Sequence, residues 1–427
     1  MEDNNKKKSC SISDVKSKYI LEQILTILKE NRLLNIIRYN TSFQNKLNKS
    51  INDYKTIFLK TEIEIEVEKI KSRNPNDQSE QNVLNEKNDN KFINIYDKKY
   101  YCFEIYNIDT KEKILRNYIT DKEKKIKIII NYDYKDLSGL FRGCKCIKKI
   151  NFIKLNRNDI VDMSYMFNNC LSLEELNLPK FNTENVTNMS HMFQQCLKLK
   201  KLNLTSFNTM NVVNMSYMFH DCHELKTLDI SSFNTNKVTN MKEMFSICKT
   251  LKVLNLSNFN TNNVTDMYSM FQGCSSLEEI NLSNANTINV TNMCSMFQGC
   301  SSLKKLNISN FNTSNVNTMH KMFYQCSSLK ELNLSHFNTK NVDNMYCMFY
   351  GCSALEKLNL SNFKTSNVKT MSFMFCDCKS LKELDFPNYK GKFTTNKDSM
   401  FNGCKKLNED DRWKKNIEYI NFICTVF

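Results

Sequence analysis

Eleven cysteines, Cys144, Cys170, Cys196, Cys222, Cys248, Cys274, Cys300, Cys326, Cys352, Cys378 and Cys404, recur every 26 residues with no insertion or deletion between them. A register kept that strictly over most of a chain requires one small unit stacked on itself, each unit burying its apolar face against the next. It argues against a catalytic domain with irregular loops. A stack grows by addition, so the 427 residues need not divide into two or three ordinary cores.

A central unit reads Val264-Thr-Asp-Met267-Tyr-Ser-Met270-Phe271-Gln-Gly-Cys274-Ser-Ser-Leu277-Glu-Glu-Ile280-Asn-Leu282-Ser, and the next begins at Val290. Met267, Met270, Phe271 and Cys274 lie three, four or seven apart, the spacing of one side of a helical turn or two. Ile280 and Leu282 are two apart, so the period changes to that of a short strand. The Ser-x-Phe-Asn-Thr sequence, as at Ser257 to Thr261, then turns the chain. A constant period pairs every strand in parallel with its counterpart in the next unit. The first unit (Leu137, Leu140, Phe141, Cys144, Ile147, Ile150) and the last (Met400, Phe401, Cys404, Leu407) are degenerate, as end units are. The expected fold is an α/β solenoid with parallel strands, preceded by a helical N-terminal region.

Units of this form, clearest at Val186 to Thr209 and Val290 to Thr313, closely resemble the leucine-rich repeats of the BspA-like surface protein family. The resemblance covers roughly residues 137 to 407, and the Asn- and Lys-rich composition is similar to that of protist members. It implies a leucine-rich repeat array that binds proteins. Several bacterial relatives look like surface adhesins for host or matrix proteins. The N-terminus, Met1 to Ser11, is polar and lysine-rich and does not read as a signal peptide.

Outside the array the chain divides by pattern. Residues 1–70 read as helical, with Tyr19, Ile20, Ile24, Ile27 and Leu28, then Phe43, Leu47, Ile51, Tyr54 and Phe58, at helical spacings. Ile63, Ile65 and Val67 alternate with glutamates in a strand-like way. Residues 71–90 read as a flexible linker and 91–133 as a small β-rich cap module. The solenoid then spans 134–407, and a C-terminal cap with Trp413 spans 408–427. Glu22, Lys29, Glu30 and Arg32 interrupt Ile20 to Ile37, the most apolar early segment, so no membrane span is expected.

The periodic cysteines form a single file down the stack. A zinc site needs four converging ligands, and the chain holds only 5 His, so buried, reduced, metal-free thiols are expected. The Met pairs, from Met163/Met166 to Met371/Met374, read as core. No phosphate-cradling loop or His-Glu-x-x-His motif is present, and the histidines sit at variable positions of the units. No catalytic, cofactor-binding or metal-ligating residue is expected, nor any cofactor, and the chain reads as non-enzymatic.

The expected function is a protein–protein interaction scaffold. Binding information belongs where units differ, at the outward strand position occupied by Glu175, Lys201, Thr227, Val253, Glu279, Lys305, Glu331, Lys357 and Glu383. The next outward column, Asn177 to Asp385, reads as a polar ladder of side chains bonded along the stack. A net charge of +15 favours acidic partners, nucleic acid or anionic membrane non-specifically, while lysines scattered among glutamates argue against specific nucleic-acid recognition. The partner is a protein of unknown identity and the chain a cytoplasmic monomer. The alternative is a surface or secreted adhesin exported by a non-classical route.

Overall fold

The structure, a computed structural model, describes residues 45, 59–71, 80–95, 99–134, 136–155, 157–178, 181–389, 395–410, 413–418 and 420. The helices expected between residues 12 and 60 lie almost wholly outside the described residues. The array is a parallel-stranded solenoid of leucine-rich-repeat type with the 26-residue register intact. Three-residue strands recur at Glu175–Asn177 (β5), Lys201–Asn203 (β6), Thr227–Asp229 (β7), Glu279–Asn281 (β8), Lys305–Asn307 (β9), Glu331–Asn333 (β10), Lys357–Asn359 (β11) and Glu383–Asp385 (β12).

The Met-x-x-Met-Phe-x-x-Cys segment is not helical. In the unit after Val161 it consists of overlapping four-residue turns, closed by Met166 N–H to Met163 O, Asn168 N–H to Tyr165 O and Cys170 N–H to Phe167 O. Tyr165 and Asn169, the third residues of two of these turns, have φ of 56° and 60°. Both positions are left-handed in every unit, and at the second even the β-branched Ile247 adopts φ 61°. Gly143, Gly273, Gly299, Gly351 and Gly403 fall there too, where a turn with positive φ favours glycine. Three residues per turn bring Met163, Met166, Phe167 and Cys170 inward together, which is why the spacing resembles that of a helix.

These turns carry the main inter-unit ladder. The N–H groups of Met163, Tyr165, Phe167 and Asn169 donate to the carbonyls of Asn188, Ser190, Met192 and Gln194, at 2.7–3.0 Å. The pattern recurs along the array to Asp377, which donates to Asn402. Eleven Phe side chains, from Phe141 to Phe401, stack nearly parallel beneath it with neighbouring centroids 5.3–5.9 Å apart. That exceeds the roughly 4.8 Å strand spacing, as expected of offset rings.

The cysteine row has a specific task. Each thiol from Cys170 to Cys404 donates to the carbonyl of the Phe 29 residues earlier, as Cys274 Sγ does to Phe245 O at 3.0 Å. All the described cysteines are free and buried. Burial pushes the row thiols well up, Cys300, Cys352 and Cys404 to about 12. They remain protonated donors.

The threonines link units as well. Thr235 Oγ1 donates to Asn260 O at 2.8 Å and accepts from Asn260 N–H at 2.7 Å. Asn260 Oδ1 in turn accepts from Asn262 N–H, a local turn of the kind the Asn-Thr pattern implies.

The array begins in a five-stranded sheet. Thr61–Val67 (β1) lies antiparallel between Lys125–Ile130 (β3) and Ile147–Leu155 (β4). Phe103–Asn107 (β2) pairs with β3, and β4 pairs in parallel with β5. The first repeat strand thus belongs to both sheet and solenoid. β1 falls inside the stretch expected to be helical, though its Ile63, Ile65, Val67 alternation marks it. Within the expected linker, Glu80–Asp89 forms a helix (α1).

Asn94, buried just before the array, stands in for a missing preceding unit. Its N–H reaches Leu140 O, and its carboxamide reaches Gly139 O and Arg142 O. Leu140 O and Arg142 O occupy the register of Met166 O and Asn168 O, which the preceding unit satisfies elsewhere. At the far end Trp413 packs 5.4 Å from Phe401, the last ring of the stack.

Candidate protein-binding face

Parallel strands only three residues long leave one face to the core and one to solvent. Leu202, Leu228, Leu332 and their equivalents point inward, while the residues on either side of each are exposed. All nine positions expected to bind lie on the outer face and are exposed. They do not form one site. Lys201, Thr227 and Val253 line a hollow of about 940 Å³. Lys305, Glu331, Lys357 and Glu383 line a second, of about 1060 Å³. Glu175 and Glu279 line neither.

The two hollows differ electrostatically. Around the second, neighbouring units pair their charges: Lys357 with Glu383 at 2.8 Å, Lys382 with Glu356 at 2.9 Å and Lys304 with Glu278 at 2.7 Å. Such exposed pairs contribute little to stability, about 0–1 kcal/mol each, but they neutralise the surface. Glu175 is engaged likewise with Lys149 at 2.7 Å. In the first hollow Lys201, Lys226 and Lys252 have no ion-pair partner among the described residues. Its carboxylate, Asp229, accepts from the N–H and hydroxyl of Ser231, which lower its pKa.

The polar column behind these residues differs from expectation. Asn177 does donate to Asn151 Oδ1 at 2.6 Å. From Asn203 to Asn359 the side chain bends back on its own strand exit, as Asn203 does to Thr205 N–H and Asn333 to Ser335 N–H. The carboxamide closes a local turn more readily than it reaches a side chain one unit away.

Three arrangements on the turn side escaped the sequence reading. His191 stacks between Tyr165 and Tyr217, at 4.3 and 4.5 Å. Burial lowers its pKa, opposed by Gln194, whose carbonyl lies 2.6 Å from its Nδ1. His220 lies 3.2 Å from Glu243. Burial opposes ionisation of Glu243, but His220, Tyr217 and Lys242 hold its carboxyl below the usual range. Cys294 Sγ lies 2.6 Å from His320 Nε2, and His320 Nδ1 lies 2.9 Å from Thr318 Oγ1. Burial pushes the Cys294 thiol up to about 11 and, with Lys321, depresses the His320 imidazole. The pair rests neutral. The signal was the period itself, since Cys294 and His320, like Tyr165 and His191, are one repeat apart.

Among the described residues no group of three or more His, Cys, Asp or Glu is placed to hold a metal ion, and no helix is long and apolar enough to cross a membrane. The fold is a leucine-rich-repeat solenoid.

The chain belongs to the family described as "Mycoplasma protein of unknown function, DUF285", which it matches over residues 135–254, 239–354 and 330–421. None of the curated proteins matches it. It is similar to a leucine-rich repeat protein from Bacteroides ovatus, at 17% identity over 67% of this chain and 71% of that one, with a TM-score of 0.37. A leucine-rich repeat protein from Eubacterium ventriosum is 16% identical over 58% of this chain and 82% of its own, with a TM-score of 0.27. The TLR13 chain of a TLR13–ssRNA13 complex is 18% identical over 58% of this chain and 34% of its own, with a TM-score of 0.26. The solenoid is established by the ladders described above, independently of these likenesses.

Proposed function

We propose that this chain is a non-enzymatic scaffold that binds a protein partner through the strand face of its repeats. One observation carries the reading. The Cys, Phe and Thr columns are each committed to inter-unit bonds or stacking, whereas the row from Glu175 to Glu383 is exposed, changes from unit to unit and borders both hollows. Surface whose side chains hold no buried inter-unit bond can be selected for complementarity.

A pull-down from the source cell with the wild-type chain and with the triple variant Lys201→Glu, Lys305→Glu, Lys357→Glu tests this. The expected outcome is a partner held by the first and lost by the second, with both folded by circular dichroism. A variant that retains every partner refutes binding through this face.

We further read the chain as a BspA-like, protist-type member acting as a monomer in the cytoplasm. The repeat sequence supports the first part. The free, buried thiols support a reducing compartment. Cell fractionation tests the location, and a chain found wholly at the surface or in the medium would favour the adhesin reading.

A further inference from the structure

Two features set the first hollow apart from the second, where Lys305 alone of the four lining lysines lacks an ion pair among the described residues. One is three exposed lysines without ion-pair partners among the described residues, Lys226 and Lys252 one period apart and Lys201 beside them. The other is Val253, 75% exposed on an outer row that is otherwise polar or charged. Lys252 to Asn255 is also unpaired as a strand, so the sheet is interrupted between β7 and β8.

Unpaired ammonium groups beside an apolar spot, none of them on its following-unit side, call for a ligand with the inverse pattern. We propose that this hollow takes an extended acidic segment of a protein partner, its carboxylates on Lys201, Lys226 and Lys252 and an apolar side chain on Val253. The inference rests on the scaffold reading above and names the partner's chemistry.

Charge complementarity selects this occupant. The sole carboxylate of the hollow, Asp229, is engaged with Ser231, and the surplus cation joins a chain of net charge +15 that draws anions toward it. An extended segment presents alternate side chains to one face, so acidic and apolar groups can meet neighbouring columns of one sheet. Single-stranded nucleic acid fits less well. It is held by aromatic platforms on which bases stack, and no aromatic residue lines this hollow.

The test is a selection of random displayed peptides on the full-length chain, with the winners measured by fluorescence anisotropy. The expected winners carry Asp or Glu flanking Val, Ile or Leu. They should weaken with added salt and lose about tenfold or more in affinity for the Lys201→Glu, Lys226→Glu, Lys252→Glu variant. A Val253→Asp variant should weaken them too, although it touches none of the lysines.

Winners without an acidic excess overturn the inference, as do winners indifferent to the lysine reversal. If those indifferent winners are instead lost on Lys305→Glu with Lys357→Glu, the strand face still binds and only the choice of hollow fails. Winners indifferent to both sets sink the scaffold reading as well. An oligodeoxythymidine probe that binds more tightly than any peptide, through the same three lysines, overturns the inference in favour of nucleic acid.

Discussion

The turn side and the strand side of each unit contribute to the solenoid in different ways. On the turn side, backbone bonds run from unit to unit along the whole array, with the Phe stack beneath and the thiols closing on the Phe carbonyls. On the strand side, pairing comes in separate pieces: β4 with β5, β6 with β7, β8 with β9, and β10 through β12. The contrast places cohesion on one side of the molecule and variation on the other. A nearest-neighbour array can change a column whose side chains make only exposed ion pairs between units without unlocking the rest.

The strongest challenge to that division is Phe271→Ala. Phe271 is fully buried between Phe245 and Phe297, at 5.6 and 5.7 Å. Truncation removes both ring contacts and leaves a cavity, so urea unfolding should show a loss of about 3–5 kcal/mol. A loss below about 1 kcal/mol would mean that the stack is incidental to stability.

Thr235→Val comes next. The change keeps the shape of the side chain but leaves both the N–H and the C=O of Asn260 without this partner. Buried groups stripped of a partner cost about 1–3 kcal/mol each. Asn260 is half-buried, so each of its two groups costs near the low end, and the same urea experiment should register a loss of about 2 kcal/mol; a neutral result would assign the bond to the surface.

Cys274→Ala should cost less, about 1 kcal/mol, because Phe245 O keeps the N–H of Cys248 when the thiol is gone. A parallel titration checks the row as a whole. Its thiols should resist alkylation in the native chain and react after denaturation, since burial keeps them protonated. Rapid labelling of the row in the folded protein would contradict its burial.

Much of this was legible in the sequence because a strict period turns spacing into contact. Cys144 to Cys404, the Met pairs and Leu277 were placed inward correctly, and the outward row was placed outward. The backbone of the Met–Phe–Cys segment was not legible, since overlapping turns and a helix both bring residues three and four apart together. The reach of β1 was hidden for a different reason. Its alternation marks a strand, but nothing local says that it pairs with β3 some 60 residues later. A truncation meant to remove only the N-terminal region must therefore stop before Lys60, because cutting at residue 90 takes out the strand between β3 and β4. The split of the outer row into a neutralised hollow and an unpaired one depends on which lysines reach a glutamate, which a column of letters does not give.

The smallest expected effect is the sharpest test of the comparison. Replacing Lys201, Lys305 and Lys357 by Gln changes three exposed positions whose backbone stays in place and whose removal opens no cavity. One ion pair, Lys357 with Glu383, is lost, and exposed pairs contribute about 0–1 kcal/mol. The unfolding free energy should therefore stay within about 1 kcal/mol of wild type, in contrast to the single substitutions on the turn side. Neutral replacement lowers the net charge from +15 by 3, to +12, without setting a new carboxylate against Glu279, Glu331 or Glu383 in the strand register. If the triple variant instead unfolds as readily as Phe271→Ala, the strand face carries the fold, and its variation from unit to unit has to be explained by packing rather than by binding.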